Sequence, residues 1–295
     1  MDKHEQRIAL WKDAFADDTV GIHRTIRDLI WNYAAFRTAI SIVRISNSKR
    51  GSRPPVNQMI FDLMAEGFWS SLLLGTRRLL DKGPINGPKG VYSIRSVIND
   101  VKSCRPWIDR RTYVELLSGA RYELDILQQE RLDNLHAAQG RPIWGSPELA
   151  LSEEAHRRFD ILSDVAAPQR DASDLIDPSI FKSFEDRLSE LDVISDHVSS
   201  HIAHAGNKES RQSKGLDEFD IRDAHTALKK LKEVAALAGL FFADKGCEGL
   251  PTCLYDQFEG LDQPLVETAD LADLQEQWLL LESEIAGWSI NPKML

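Results

Sequence analysis

Apolar residues recur every three or four positions along most of this chain and almost never alternate, a pattern that predicts helices and no sheet. A first amphipathic segment covers about 4–16, and a second, about 19–45, carries Ile22, Ile26, Leu29, Ile30, Tyr33 and Phe36 at helical spacing. Lys49 to Pro55 breaks the pattern. Pro54-Pro55 then suits the first turn of a long helix that reaches about Lys82 through Met59, Leu63, Phe68, Leu72, Leu73 and Leu79. After the turn-rich stretch Gly83 to Gly90, Ser93 is a candidate N-cap for a short helix through Ile94, Val97, Ile98 and Val101, which Pro106 closes. Further helical patterns cover about 111–136 and 149–165, and the polar stretch Pro168 to Asp177 reads as a linker or flexible loop. Asp177-Pro178 opens a helix that continues to Ala205-Gly206, where glycine stops it. Two more helices are expected at about 218–244, strongly apolar, and about 269–286.

Long helices joined by turns imply an all-α antiparallel bundle. The reading places N-terminal helices at 1–48 and the bundle at 54–244, with a helical insertion at about 93–165, then a C-terminal loop and helix at 245–295. The main helices of the bundle would be those near 19–45, 55–82, 177–205 and 218–244.

Charge and cysteine content narrow the class. With 46 acidic and 36 basic residues the net charge is −10, which disfavours the broad electrostatic grip of a non-specific nucleic-acid binder. Local contacts to RNA remain open at two basic clusters, Arg105 to Arg111 around Trp107 and Lys208 to Lys214 around Arg211. Solvated loop charge is the alternative for both, and burial is the alternative to base stacking for Trp107 and Trp144. Three cysteines with no C-x-x-C pair argue against a disulfide framework and a thiolate zinc site. No signal-like apolar stretch and no uninterrupted span of about 18 apolar residues is present, so a cytoplasmic protein that does not engage membranes is expected.

The densest chemistry lies in His197-Val-Ser-Ser-His201-Ile-Ala-His204, three of the eight histidines at offsets of four and three. On one helix these rings share a face, at the edge of an apolar stripe formed by Phe184, Leu191, Ile194, Val198, Ile202 and Ala205. Three roles fit. The rings can hydrogen-bond backbone or carboxylate groups structurally; His197 and His201, with Glu66 or Glu190, can hold a metal; or the rings can move protons in acid–base chemistry.

The segment Ile194 to Ala205, ending in Ile-Ala-His, resembles the signature of the HEPN superfamily in its branch related to phage abortive-infection proteins. Gly75-Thr-Arg-Arg-Leu-Leu-Asp81, followed by Val91-Tyr-Ser-Ile-Arg95, also looks like that branch, and the likeness spans about 20–243. The resemblance implies an all-helical, HEPN-like four-helix core, a homodimer formed across the signature helix, RNA, a nucleotide or a protein as partner, and no cofactor. In catalytic members it implies a metal-independent endoribonuclease of the defence or toxin–antitoxin type, whose motif is an arginine, then four to six intervening residues, then a histidine. That histidine falls on His204, with His201 as the alternative, and His197 and His201 are its expected partners. The arginine does not carry over: Ser199, Val198 and His197 precede His204 at the required distances, and Asp196, Ser195 and Ile194 precede His201. Arg77 or Arg78 would then have to steady the phosphate from the facing helix. The alternative for Arg78 is a pairing with Asp81 or Asp62.

Overall fold

The computed structural model describes residues 2–50, 57–138, 145–199, 219–247, 249, 256–261, 263 and 266–286, with no strand among them. Among the described residues ten α-helices longer than three residues set the frame: α1 (Lys3–Ala16), α2 (Ile22–Arg50), α3 (Gln58–Leu79), α4 (Ile94–Cys104), α5 (Leu124–Ala137), α6 (Pro147–Ser163), α7 (Pro178–Ser189), α8 (Asp192–His197), α9 (Ile221–Phe242) and α10 (Leu271–Ala286). The chain divides into two compact units, 1–251 and 252–295.

Local chemistry sets the helix starts. Asp2 and Glu5 form a capping box at α1, and Ser93 does the same with Ser96 at α4, where each hydroxyl accepts from the other residue's backbone N–H at 2.9 and 3.1 Å. Asp177 accepts from the Ser179 N–H at 2.7 Å and Pro178 occupies the first turn of α7. Pro54 and Pro55 lie outside the described residues; the described part of α3 begins at Gln58 behind an Asn57 cap.

In unit 1–251, α9 is the central helix, touching α1, α2, α3, α4 and α7. Ala224, Ala227, Ala235 and Ala238 are buried on it beside Leu231, Val234 and Phe242, and these small side chains let its neighbours come close. The closest approach is at Gly239, where a Cβ would lie 2.5 Å from the Lys245 carbonyl oxygen. α2 and α3 pair, α3 packs against α8, and α4 sits in the core against α7 and α9 through Ile94, Val97, Ile98 and Val101. α6 packs on α5 and on the turn after α4.

Three expected elements come out differently. The helix expected over 111–136 is interrupted by a π-helical turn (Tyr113–Leu117), closed by the Ser118 N–H donating to the Tyr113 carbonyl at 3.0 Å; Gly119 follows at φ 65°, a left-handed conformation open to glycine, and helix resumes only at Leu124. The helix expected over 177–205 is parted at Glu190-Leu191, where the chain tightens to bonds from Leu191 to Leu188 and from Ile194 to Leu191, both 3.0 Å. Neither glycine nor proline stands there, so the spacing of apolar residues runs straight through the break.

The stretch 168–177, expected as a linker or flexible loop, is pinned. Arg110 is fully buried and its guanidinium donates to Asp174 at 2.9 Å, Asp160 at 2.7 Å, the Val165 carbonyl at 2.7 Å and Ser163 at 3.2 Å, with the Phe159 ring 5.0 Å away. Arg170 adds a bond to Asp160 at 2.6 Å. Burial alone would raise Asp160, but the hydrogen bonds from Arg170 and Arg110 outweigh it and hold the carboxyl below its usual range.

Candidate functional site

The signature segment begins on α8, and its start is fixed by an arginine that sequence reasoning missed. Arg95, on α4, is 1% exposed although it sits inside the apolar run Ile94 to Ile98. Its guanidinium donates to Glu185 of α7 at 3.2 Å through Nε and to Asp192, the first residue of α8. Nη2 also approaches Glu185 at 3.1 Å as an ion pair, without hydrogen-bond alignment, and Nη1 lies 3.4 Å from the Leu80 carbonyl at the end of α3. One buried cation thus ties the end of α3, α7 and α8 together, and Lys82 adds a contact to Asp192 at 3.7 Å. An acidic residue at the first turn of α8 also suits the positive end of that helix. The available signal was an arginine at a core-facing register of a short helix, with two carboxylates to be met in the fold.

Beyond that anchor, Leu191, Ile194 and Val198 are buried together with Phe184, so the described part of the expected stripe faces the core. His197 is half-buried on the last turn of α8, and the chain takes a π-helical turn at Val198 and Ser199. His201 and His204, with Ile202 and Ala205, lie outside the described residues. Of the carboxylates named for a metal, Glu66 is exposed and Glu190 is held by Lys230 of α9. Among the described residues no three His, Cys, Asp or Glu side chains are grouped as a metal site would need.

The two arginines of α3 part company. Arg78 pairs with neither Asp81 nor Asp62: it donates to the Val20 carbonyl, while Asp81 accepts from the Gly83 N–H at 2.7 Å and Asp62 from Gln58 at 2.7 Å. It therefore faces the turn between α1 and α2, in a cleft of about 690 Å³ shared with Asp17, Asp81 and Tyr92. Hydrogen bonds from the Thr19 hydroxyl and the Val20 and Thr19 backbone N–H groups lower the Asp17 carboxyl, and the Arg78 charge adds to this. Tyr92, bonded to Asp13, is pushed up to about 12 by that bond, by burial and by the negative charges of Asp13 and Asp17. Arg77 is half-buried one position earlier and makes no ion pair with a described residue. α3, which carries it, packs against α8.

A second polar group was not anticipated. The Arg37 guanidinium donates to the Tyr33 hydroxyl at 3.0 Å, and that hydroxyl lies 3.2 Å from Nδ1 of exposed His225 on α9. Arginine can only donate, so the hydroxyl oxygen accepts from Arg37, and its contact with Nδ1 runs in the direction that the imidazole tautomer sets. The floor beside it is aromatic: Tyr33, Phe36, Phe68, Trp69 and Phe219 form a chain of ring contacts.

Trp107 is half-buried and stacks with His4, at 4.0 Å between ring centroids, and with Trp11, at 5.9 Å, so its ring is engaged by rings of this chain. Arg105 in the same cluster donates to the Ile176 carbonyl, and Arg110 is the buried residue described above. Trp144 and the cluster Lys208 to Lys214 lie outside the described residues. No helix among the described residues is long and apolar enough to cross a membrane.

Comparison with known proteins gives one result. A HEPN family model described as AbiU2 matches residues 12–227, which takes in every helix from α2 to α8 and the whole signature segment. No curated protein and no solved structure matches the chain.

Proposed function

The chain belongs to the AbiU2 family of HEPN domains, and from that premise we propose that it is a defence protein that cleaves RNA at its signature segment without a metal. His204 takes the proton from a ribose 2′-hydroxyl, whose oxygen attacks the adjacent phosphorus. The 5′-oxygen leaves with a proton from His201 or His197, giving a 2′,3′-cyclic phosphate. Arg77 bears on the phosphate and replaces the arginine missing from the motif.

The observation that carries this reading is the state of the two arginines. Arg78 is turned away to the Val20 carbonyl, whereas Arg77 is half-buried, on the helix that packs against α8, with no acidic partner among the described residues. A guanidinium of that kind is available to an anion. The buried Arg95 clamp supports the same reading, because acid–base groups need a fixed platform.

The test is cleavage of a single-stranded RNA by the purified full chain in the presence of a chelator. His204→Ala and Arg77→Ala should each lower the rate by about 100-fold or more, and Arg78→Ala should leave it within about twofold. No cleavage by the unaltered chain, loss of cleavage on chelation, or full activity in His204→Ala each sinks the proposal. Loss in His225→Ala alone would move the chemistry to the Arg37–Tyr33–His225 group.

A further inference from the structure

One edge of the groove between α2 and α9 gathers cations that have no acidic partner. Three observations fix how the two helices run along each other. At one end the Tyr33 hydroxyl of α2 lies 3.2 Å from Nδ1 of His225, and further along a Cβ on Gly239 would lie 2.9 Å from Nε2 of His23. Beyond Gly239, Lys245 shares a cleft of about 170 Å³ with His23, Arg24 and Arg27. The helices are therefore antiparallel. His225, Lys232 and Gly239 are spaced by sevens and share one face of α9, so Lys232, between two points that touch α2, borders it as well. On α2, Arg27 stands between His23 and Tyr33, and Arg37 extends the row past Tyr33, to whose hydroxyl it donates at 3.0 Å.

Arg27, Arg37, Lys232 and Lys245 make no ion pair with a described residue, although Arg27 and Lys232 are half-buried. The acidic residues along the row are engaged elsewhere: Asp28 accepts from Arg24 at 2.8 Å, Glu233 lies 3.9 Å from Lys229, and Asp220 and Asp223 form the capping box of α9. Asp17 and Asp18 border the Lys245 end. Partly desolvated cations without counter-charge are costly to the fold and are matched when an anion binds. From Arg24 to Arg37 the row is about 20 Å long at 1.5 Å per residue, the length of about six phosphates of a stacked strand. A small anion would meet one or two of these groups, whereas a phosphate polymer meets the whole row.

We infer that the α2–α9 row is a contact surface for single-stranded RNA, holding backbone phosphates of the strand through Arg27, Arg37, Lys232 and Lys245. None of these residues belongs to the signature segment. Guanidinium and ammonium groups meet phosphate charge rather than base edges, so the row positions the strand and leaves its sequence unread. The choice of RNA among phosphate polymers rests on the RNA-cleaving reading, and the inference deepens it by naming where the strand is gripped outside the histidine run.

The experiment is fluorescence anisotropy of a labelled 2′-O-methyl RNA strand, which lacks the hydroxyl that cleavage needs, titrated with the full chain between about 50 mM and about 200 mM NaCl. Arg27→Gln combined with Lys232→Gln should raise the dissociation constant about tenfold at the lower salt. It should also make log affinity against log salt shallower by about 1.4, for two phosphate contacts at about 0.7 each. Lys102→Gln combined with Lys182→Gln removes the same charge from exposed positions on α4 and α7 and should change that slope by less than about 0.3. Should the first pair of substitutions lower the melting temperature, Arg37→Gln with Lys245→Gln, both at exposed positions, carries the same expectation. Equal slopes for the row and control variants overturn the inference, as does an unaltered chain that fails to bind the strand. Row-dependent binding by a chain that cleaves no unmodified RNA upholds it and sinks the cleavage reading; cleavage by a chain whose binding ignores the row does the reverse.

Discussion

Three buried or half-buried side chains show how far single residues organise this fold. Arg95 and Arg110 stand in stretches whose apolar pattern marks helix and turn, and the pattern says nothing of an internal cation; only the facing carboxylates, remote in sequence, reveal why each is buried. His156 is the third. Its Nε2 donates to the Tyr122 carbonyl at 2.9 Å, and Nδ1 is buried without a hydrogen-bond partner among the described residues, so protonation would place a charge where water cannot reach it. Burial accordingly lowers its pKa below the ordinary 6.5, with the bond to Tyr122 opposing and the charges of Arg170 and Arg110 assisting. A depressed pKa means that the unfolded chain binds the proton first as pH falls. The stability contributed is complete above 6.5 and is lost below it. Urea unfolding of the unaltered chain should therefore weaken between about pH 7 and about pH 5, and the slope should be shallower in His156→Leu. Equal slopes for the two would show that other groups set the acid sensitivity.

At the scale of elements, helix positions and several caps were legible because they depend on neighbours in sequence: Ser93, Asp177 and the apolar spacing of α2, α3 and α9 needed no tertiary information. The breaks were not legible, since a π-helical turn at 113–117 and a tightened turn at 190–191 preserve the apolar spacing while changing direction. The candidate site follows the same division. The histidine run and the missing motif arginine could be read directly, whereas the bond from Arg78 to the Val20 carbonyl depends on how the end of α3 meets the α1–α2 turn. Close contacts between helices were equally hidden. Gly239 reads as a weak point in α9, and replacing it with alanine should help a lone helix by about 1 kcal/mol. In the fold a Cβ would meet the Lys245 carbonyl at 2.5 Å and His23 Nε2 at 2.9 Å. Gly239→Ala should therefore destabilise unit 1–251 by about 1–3 kcal/mol in thermal or urea melts, the cost of overpacking exceeding the gain in helix propensity. A more stable variant would show that the 239–245 turn yields freely.

For the whole molecule, the sequence argument from net charge needs revision. A total of −10 discourages RNA binding only if the charge is spread over the surface, and here one stretch from 246 to 292 carries all of it. Neutralising Asp270, Asp273, Glu276, Glu282 and Glu284 together, as asparagine or glutamine, should strengthen RNA retention by the full chain several-fold at low salt, roughly in line with the loss of like-charge repulsion. An unchanged affinity at low salt would show that the acidic stretch does not repel the RNA. The isoelectric point of about 5.3 is then a property of the acidic segment, while the bundle is a body of balanced charge. Chromatographic retention, or precipitation near pH 5, would report on that segment and reveal little about the surface that meets a polyanion.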